Sequence, residues 1–370
     1  MKILIVARSF TFHGGVETAT AGLVRSLVDH GYDVHLLSPG SQPAIAGVTR
    51  HRLALPPLPA APRAVAQALA VRRVARGGGW DVIQSHERTL GQDIYRAGEG
   101  CHRGYLAALG VRGRGIYHHV MLALERRVFS TTPRIVAIAR VGKAEIERFY
   151  DVPAERVEVV YNGVDLERFH PRNRAALATA ARAEVAVPVG TPLALFAGSG
   201  FERKGLATAL EALALCRPLC RLLVVGHGSR GRHDSLARRL GVADRVVWLG
   251  PRRDIERWYA AADVVVLPTR YDPFGNVHLE ALAAGVPVVT STRAGGAEVI
   301  EEGRNGAVVD PHDARALAEA MGQFLEGGGS IAEAARRSAE PFTYAAHVAG
   351  LARIYRGQRA EQARLPLRNR

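Results

Sequence analysis

Residues 263–280, DVVVLPTRYDPFGNVHLE, limit what this chain can fold into more than any other stretch. Positions 263–267 read as a strand, an apolar run of the kind buried on both faces of a parallel sheet. Positions 268–275 carry Pro, Asp and Gly and read as a loop. From 276 the spacing turns helical, with Val277, Leu279, Ala281, Leu282 and Ala284 on the way to Gly285, which stops the helix. A buried strand feeding a helix is the repeating unit of an α/β domain, because parallel neighbours need a crossover connection.

The same alternation opens the chain. Residues 2–7 form a strand, 8–17 (RSFTFHGGVE) a loop, and Ala21, Leu23, Val24, Leu27 and Val28 one apolar helix face ended by Gly31. Residues 33–37 form the next strand, which completes a βαβ unit. After a proline-rich connector at 56–62, the pattern predicts helices at 64–76 and 121–129 and strands at 81–84, 94–97, 134–138 and 157–160. The polar, alanine-rich residues 171–192 read as a helix with linkers. A second series follows, with strands at 193–197, 221–225, 245–249, 263–267 and 286–290, a weaker one at 307–309, and helices between them. The expected architecture is therefore α/β, with two Rossmann-like doubly wound domains at residues 1–170 and 171–340. A chain of 370 residues is long enough for both cores.

Charge and composition narrow the partners. The net charge is +14, and residues 50–140 alone carry 15 Arg against 5 acidic residues. Such a field suits an anionic partner, although the chain is rich in Arg and Ala throughout, which also reads as compositional bias. No apolar run reaches 18 residues, and MKILIV lacks the long apolar region of a signal peptide. Cys101, Cys216 and Cys220 are too few for a disulfide framework. Cys216 and Cys220, four apart on an expected helix, read as buried structural residues, or as a metal pair without histidine partners. A reduced, cytoplasmic protein is expected.

Two loops carry candidate chemistry. In the first, Asp272 sits beside a helix start and Glu280 about a turn into the helix. Helix-end amides favour a phosphate, and carboxylates beside them accept hydrogen bonds from sugar hydroxyls. The same residues also read as a turn Asp and a solvated Glu. In the second, GSGFERKG (198–205) follows the strand at 193–197 and places Arg203 and Lys204 at a strand-to-helix junction. Ligands of open α/β sheets bind at the carboxyl ends of the strands, so both loops leave the sheet on the ligand side. Two cations there suit a diphosphate without a metal. Residues 100–119 break the periodicity and interleave Arg103, Arg112, Arg114 and three histidines with Tyr105, Leu106 and Tyr117. This reads as a surface loop or as a contact with an anionic membrane surface or a lipid-linked phosphate.

With these motifs the chain resembles the retaining glycosyltransferases of family 4, which have the GT-B fold of two Rossmann-like domains facing each other across a cleft. The resemblance covers nearly the whole chain. It places the family's carboxylate pair on Asp272 and Glu280, where Asp272 stands in place of the commoner Glu, and its phosphate-binding cations on Arg203 and Lys204. Its glycine loop falls on Gly14, Gly15 and Glu17. The resemblance implies that Glu280 holds the ribose, that Asp272 and the amides near Phe274, Gly275 and Asn276 hold the donor sugar, and that Gly226 and Gly228 border the nucleotide. Many members have a histidine where this chain has Glu99; the lipopolysaccharide core glucosyltransferases, which GQDIYRAGEGCHRGY resembles most, have an acidic residue there.

The expected activity is thus metal-independent hexose transfer from a nucleotide sugar, UDP-glucose by resemblance. The expected acceptor is a phosphorylated lipid-linked glycan of the lipopolysaccharide inner core, with Arg103, Tyr105, Arg112 and Arg114 toward acceptor and membrane. Glu99, Asp272, Arg203 and Lys204 are the catalytic candidates. Such a protein would sit peripherally on the inner face of the inner membrane, and by the family's habit a C-terminal helix at about 341–370 would pack back on the first domain. Another acceptor, an exopolysaccharide lipid carrier or a small metabolite, is the alternative. No Asp-x-Asp triplet, helix-turn-helix unit or aromatic RNA platform occurs, which argues against a metal-dependent transferase and a nucleic-acid partner. GHGSRG (226–231) matches a dinucleotide fingerprint, but it follows the second strand of its domain and lacks the downstream acid.

Overall fold

The computed structural model describes residues 1–9, 15–113, 115–326 and 329–364. The chain divides into two compact units, Met1–Gly163 with Tyr344–Arg370, and Val164–Thr343. The boundary lies a few residues before the expected position 170. Residues 164–170 belong with the second unit because Arg168 pairs with Glu256 there at 2.8 Å and Phe169 packs edge-on against Tyr259.

The first unit contains β1 (Lys2–Val6), α1 (Gly15–Asp29), β2 (Asp33–Ser38), β3 (Val48–Arg52), α2 (Ala60–Arg76), β4 (Val82–Ser85), β5 (Ile94–Arg96), α3 (His102–Ala108), α4 (Ile116–Thr131), β6 (Arg134–Ala137), α5 (Arg140–Tyr150) and β7 (Val157–Val159). Its seven-stranded parallel sheet runs β3-β2-β1-β4-β5-β6-β7. The strand order reverses between β1 and β4, and that switch point is where open sheets bind ligands.

The second unit contains α6 (Arg172–Glu184), β8 (Leu193–Ala197), α7 (Leu206–Leu215), β9 (Arg221–Val225), α8 (Arg230–Arg239), β10 (Val246–Gly250), α9 (Ile255–Ala261), β11 (Val264–Leu267), α10 (Val277–Ala283), β12 (Val288–Ser291), β13 (Gly306–Val309), α11 (Ala314–Leu325) and α12 (Gly329–Ala339). Its parallel sheet runs β10-β9-β8-β11-β12-β13, with the switch point between β8 and β11. Each unit is Rossmann-like. The last helix, α13 (Tyr344–Arg364), returns to the first unit, where Val348, Leu351, Ile354 and Tyr355 are buried with Ile3, Ile5, Leu23 and Leu27.

Three expectations need correction. Residues 100–119 are largely helical, as α3 and the start of α4. The amides of His102 and Arg103 that open α3 donate to the Glu125 carboxylate at 2.7 and 3.3 Å, a cap supplied from the neighbouring helix and invisible to local pattern. The strand β3 is absent from the sequence reading because VTRHR has only one apolar residue; it is an edge strand, exposed over most of its length. Cys216 and Cys220 do not share a helix. Cys216 caps α7 and Cys220 precedes β9, both buried with sulfurs 3.9 Å apart.

Candidate functional site

In the second unit, the loops that leave β8 and β11 meet at the switch point. Gly205 holds them together: its φ is +76°, and a Cβ there would lie 1.9 Å from the Pro268 carbonyl oxygen, so only glycine allows the approach. The Arg203 carbonyl accepts from the Arg270 amide at 2.8 Å and the Thr269 hydroxyl at 3.1 Å, and the Arg203 guanidinium donates to the Tyr271 carbonyl at 2.7 Å. This lattice aligns Lys204 with Asp272. The two form a direct ion pair, each 7% exposed. Burial disfavours both charges. At Asp272 the nearby Lys204 and Arg203 outweigh it and hold the carboxyl below its ordinary range. At Lys204 burial prevails, helped by the like charge of Arg203, and the ammonium is more acidic than usual. The ammonium spends one of its three N–H bonds on Asp272.

The rest of the predicted donor loop surrounds this pair. Gly275 has φ +78°, and a Cβ there would lie 2.7 Å from Asp272 Oδ2. Gly226, from the loop after β9, lies against Gly198: an added Cβ would sit 2.1 Å from the Gly198 oxygen. Phe274 is fully buried, so its ring belongs to the core and only its backbone borders the loop; its amide donates to Asp272 Oδ1 at 3.4 Å. Asn276 precedes α10 directly. Glu280 is partly exposed and accepts from the Tyr259 hydroxyl at 2.8 Å; burial raises its pKa. Tyr259 escaped the sequence reading, since its contact links α9 to α10.

Beneath the loop, His278 is fully buried. Its Nδ1–H donates to the Gly275 carbonyl at 2.6 Å, and its Nε2 lies 2.7 Å from the Thr290 hydroxyl, which also reaches the Leu267 carbonyl at 3.1 Å. Burial lowers its pKa to about 4. The folded state therefore keeps it neutral while the unfolded chain protonates it near 6.5, so the stability it contributes is complete above that value and lost as pH falls toward 4. On this account His278 alone should lower the denaturant unfolding free energy by roughly 2 kcal/mol between pH 7.5 and 5. His278→Gln should make the dependence shallower by about that amount, the buried His86 and His347 keeping their own share; an equal slope in wild type and variant would mean that His278 contributes none of it.

In the first unit, Glu99 lies beyond the end of β5. It accepts from Arg8, which follows β1, and from Arg88 Nη1 at 2.8 Å, which follows β4. Arg8 also binds Glu87 at 2.9 Å, and Arg88 reaches the fully buried Glu125 at 3.0 Å. Burial alone would raise the pKa of Glu99, but Arg8 and Arg88 hold it below the ordinary carboxylate range. It is a fixed carboxylate that orients and accepts rather than a proton reservoir. Arg8, Glu87 and Arg88 were missed by the sequence reading, although each stands just past the end of a strand. His86 is buried, 2.8 Å from Gln84 Nε2 and 3.1 Å from the Thr20 hydroxyl.

Gly15 opens α1, and Gly14 lies outside the described residues. Arg103 stacks over Phe149 and donates to its carbonyl at 3.2 Å. Tyr105 is half-buried and stacked against His102, and Arg112 is exposed. Arg114 lies outside the described residues. Among the described residues no group of three or more His, Cys, Asp or Glu is placed to hold a metal ion, and no helix is long and apolar enough to cross a membrane.

Residues 13–168 match the family model described as Glycosyltransferase Family 4, and residues 191–327 match the one described as Glycosyl transferases group 1. The D-inositol 3-phosphate glycosyltransferase of Xylanimonas cellulosilytica is 35% identical over 244 residues, covering 62% of this chain and 58% of that protein. The protein of the same name from Streptomyces scabiei is 32% identical over 249 residues, covering 62% of this chain and 55% of its own length. The aligned part thus spans little more than half of these curated relatives. Among solved structures, WaaG, a glycosyltransferase involved in lipopolysaccharide biosynthesis, has a TM-score of 0.82 at 23% identity, covering 96% of this chain and 99% of that one. Anabaena Alr3699/HepE, solved in complex with UDP-glucose, has a TM-score of 0.76 at 20% identity, covering 96% of this chain and all of the other. These structural likenesses speak for the fold. Two Rossmann-like units, each with charged residues gathered at its switch point, define a GT-B protein. The first unit thus resembles the proteins described as Glycosyltransferase Family 4, and the second those described as Glycosyl transferases group 1.

Proposed function

We propose that the chain is a retaining hexosyltransferase that moves a hexose from a nucleoside diphosphate to an acceptor hydroxyl. The observation that carries this reading is the buried Lys204–Asp272 pair with Arg203 beside it, at the switch point of the second unit. In the proposed reaction the glycosidic bond to the diphosphate breaks, the acceptor oxygen bonds to the same face of the anomeric carbon, and the departing diphosphate takes the acceptor's proton. Arg203 and the remaining N–H bonds of Lys204 stabilise the charge that develops on the leaving group. Asp272 orients the ammonium and accepts from a sugar hydroxyl, Glu280 accepts from the ribose, and Glu99 positions a hydroxyl near the reacting carbon. No metal is needed where two cations serve the diphosphate.

For the acceptor, a small phosphorylated polyol replaces the lipopolysaccharide inner core as the first choice. The relatives above 30% identity are named for D-inositol 3-phosphate, whereas WaaG stands at 23%. One observation favours a lipid-linked acceptor as a second reading. Val111, Ile116 and Tyr117 are exposed beside Arg112, with Ile116 77% exposed, an arrangement suited to an anionic membrane surface. That reading predicts sedimentation with anionic vesicles, abolished by Ile116→Glu/Tyr117→Glu.

The test is a thermal-shift and calorimetric screen of UDP-, GDP- and ADP-sugars, with UDP-glucose first because the HepE structure contains it. One donor should stabilise the protein, and product should form equally in EDTA. Binding of no nucleotide sugar would overturn the transferase reading, and full loss of turnover in EDTA restored by Mn²⁺ would overturn its metal independence.

A further inference from the structure

The second unit buries two thiols against each other. Cys216 caps the end of α7, Cys220 precedes β9, and only Arg217, Pro218 and Leu219 separate them. Both are free and buried in the core of the unit, and the Cys220 S–H donates to Cys216 Sγ at 3.9 Å. A disulfide holds its sulfurs about 2.05 Å apart, so the pair closes by roughly 2 Å, shared between two side chains. Leu215 and Leu219 are more than half exposed and Arg217 is exposed, so the loop that joins the two cysteines is itself at the surface. A small uncharged oxidant reaches such a pair through local opening of three residues, where a bulky reagent does not.

The two thiols are not equivalent. The hydrogen bond from Cys220 lowers the pKa of Cys216, and Arg245 and Arg217 add to this against burial. The same bond, with burial, raises that of Cys220. Arg245 has a buried Nη1 without an acceptor among the described residues, so its positive charge is open to a forming thiolate. Cys101, in the first unit, is the contrast: burial, with Glu125 and Glu145, raises its pKa.

We propose that Cys216 and Cys220 are a dithiol oxidised by hydrogen peroxide, in which Cys216 attacks and Cys220 closes the disulfide. The Cys216 thiolate bonds to one peroxide oxygen, the O–O bond breaks, and hydroxide leaves to take up the proton that the thiol gave. Cys216 is then a sulfenic acid. The Cys220 sulfur bonds to the Cys216 sulfur, the S–O bond breaks, and water leaves with the Cys220 proton. Two thiols are oxidised and one peroxide is reduced to two waters. The new bond joins the end of α7 to the start of β9, whereas the donor loops precede α7 and follow β9. The proposal therefore does not depend on the transfer reaction.

The full chain is treated with hydrogen peroxide, unfolded, alkylated and mapped by mass spectrometry. Alkylation should fall from three thiols to one, Cys101, and the segment carrying Cys216 and Cys220 should be lighter by two hydrogen atoms. Reduction should restore all three. Three thiols still alkylated after treatment, oxygen added to Cys216 with Cys220 free, or a disulfide between two chains overturns the proposal. Dimedone, which traps sulfenic acids, tests the order of attack. Cys220→Ser should carry the label on Cys216, and Cys216→Ser should leave Cys220 unlabelled. Label on Cys220 in the second variant overturns the assignment of Cys216 as the attacking thiol. If either variant does not fold, dimedone trapping during oxidation of the wild type decides the order instead.

Discussion

Lys204→Met is expected to lower kcat by roughly 10²–10³-fold, the usual effect of removing one preorganised donor from a developing anion. It should also destabilise the protein by about 3–5 kcal/mol, because Asp272 is left as an unpaired charge at 7% exposure. The two effects separate in a double variant. Lys204→Met/Asp272→Leu replaces a buried ion pair with apolar side chains, a change that is often neutral for stability. It should regain most of the unfolding free energy while remaining inactive. Steady-state kinetics and urea unfolding on the wild type, both single variants and the double variant complete the cycle. If the double variant regains activity with stability, the pair is a structural clamp between two loops, and the leaving group is served by Arg203 or by backbone amides.

Glu125→Ala should be the most destabilising single change in the first unit, by about 3–5 kcal/mol. Its carboxylate is fully buried and serves the amides of His102 and Arg103, the Arg88 guanidinium and the Tyr150 hydroxyl. Arg88 also holds Glu99, so the loss should carry to the site: a Glu99 held by Arg8 alone is less firmly placed. Glu125→Gln keeps an acceptor for the amides but not the charge for Arg88, and should fall between wild type and Glu125→Ala. Unfolding free energies of the three proteins check the order. An alanine variant within 1 kcal/mol of wild type would show that α3 is capped by other means.

How much of this was written in the sequence depends on the range of the interaction. Strands such as β8 and β11 are continuous apolar runs, and a buried parallel strand leaves that trace locally. Arg203, Lys204 and Asp272 were legible because strand-to-helix loops announce themselves and the two strands prove to be neighbours. Their direct pairing was not legible, since it depends on how closely Gly205 lets the loops approach. The meeting of Arg8, Arg88 and Glu99 follows from the strand order β1-β4-β5, which no local pattern encodes. Helix α3 failed for the same reason: seven residues with no cap of their own form a helix because Glu125 stands where their amides point.

The return of α13 also sets a schedule for synthesis. The first unit begins at Met1, yet its core needs Val348, Leu351, Ile354 and Tyr355. The second unit is one uninterrupted stretch, Val164–Thr343. On the ribosome, the unit that begins last can therefore finish first. The unit that begins first waits, with one flank of its apolar core uncovered, until α13 has been made. A released chain that ends at residue 343 would present that flank to chaperones, while its second unit has every residue it needs to close.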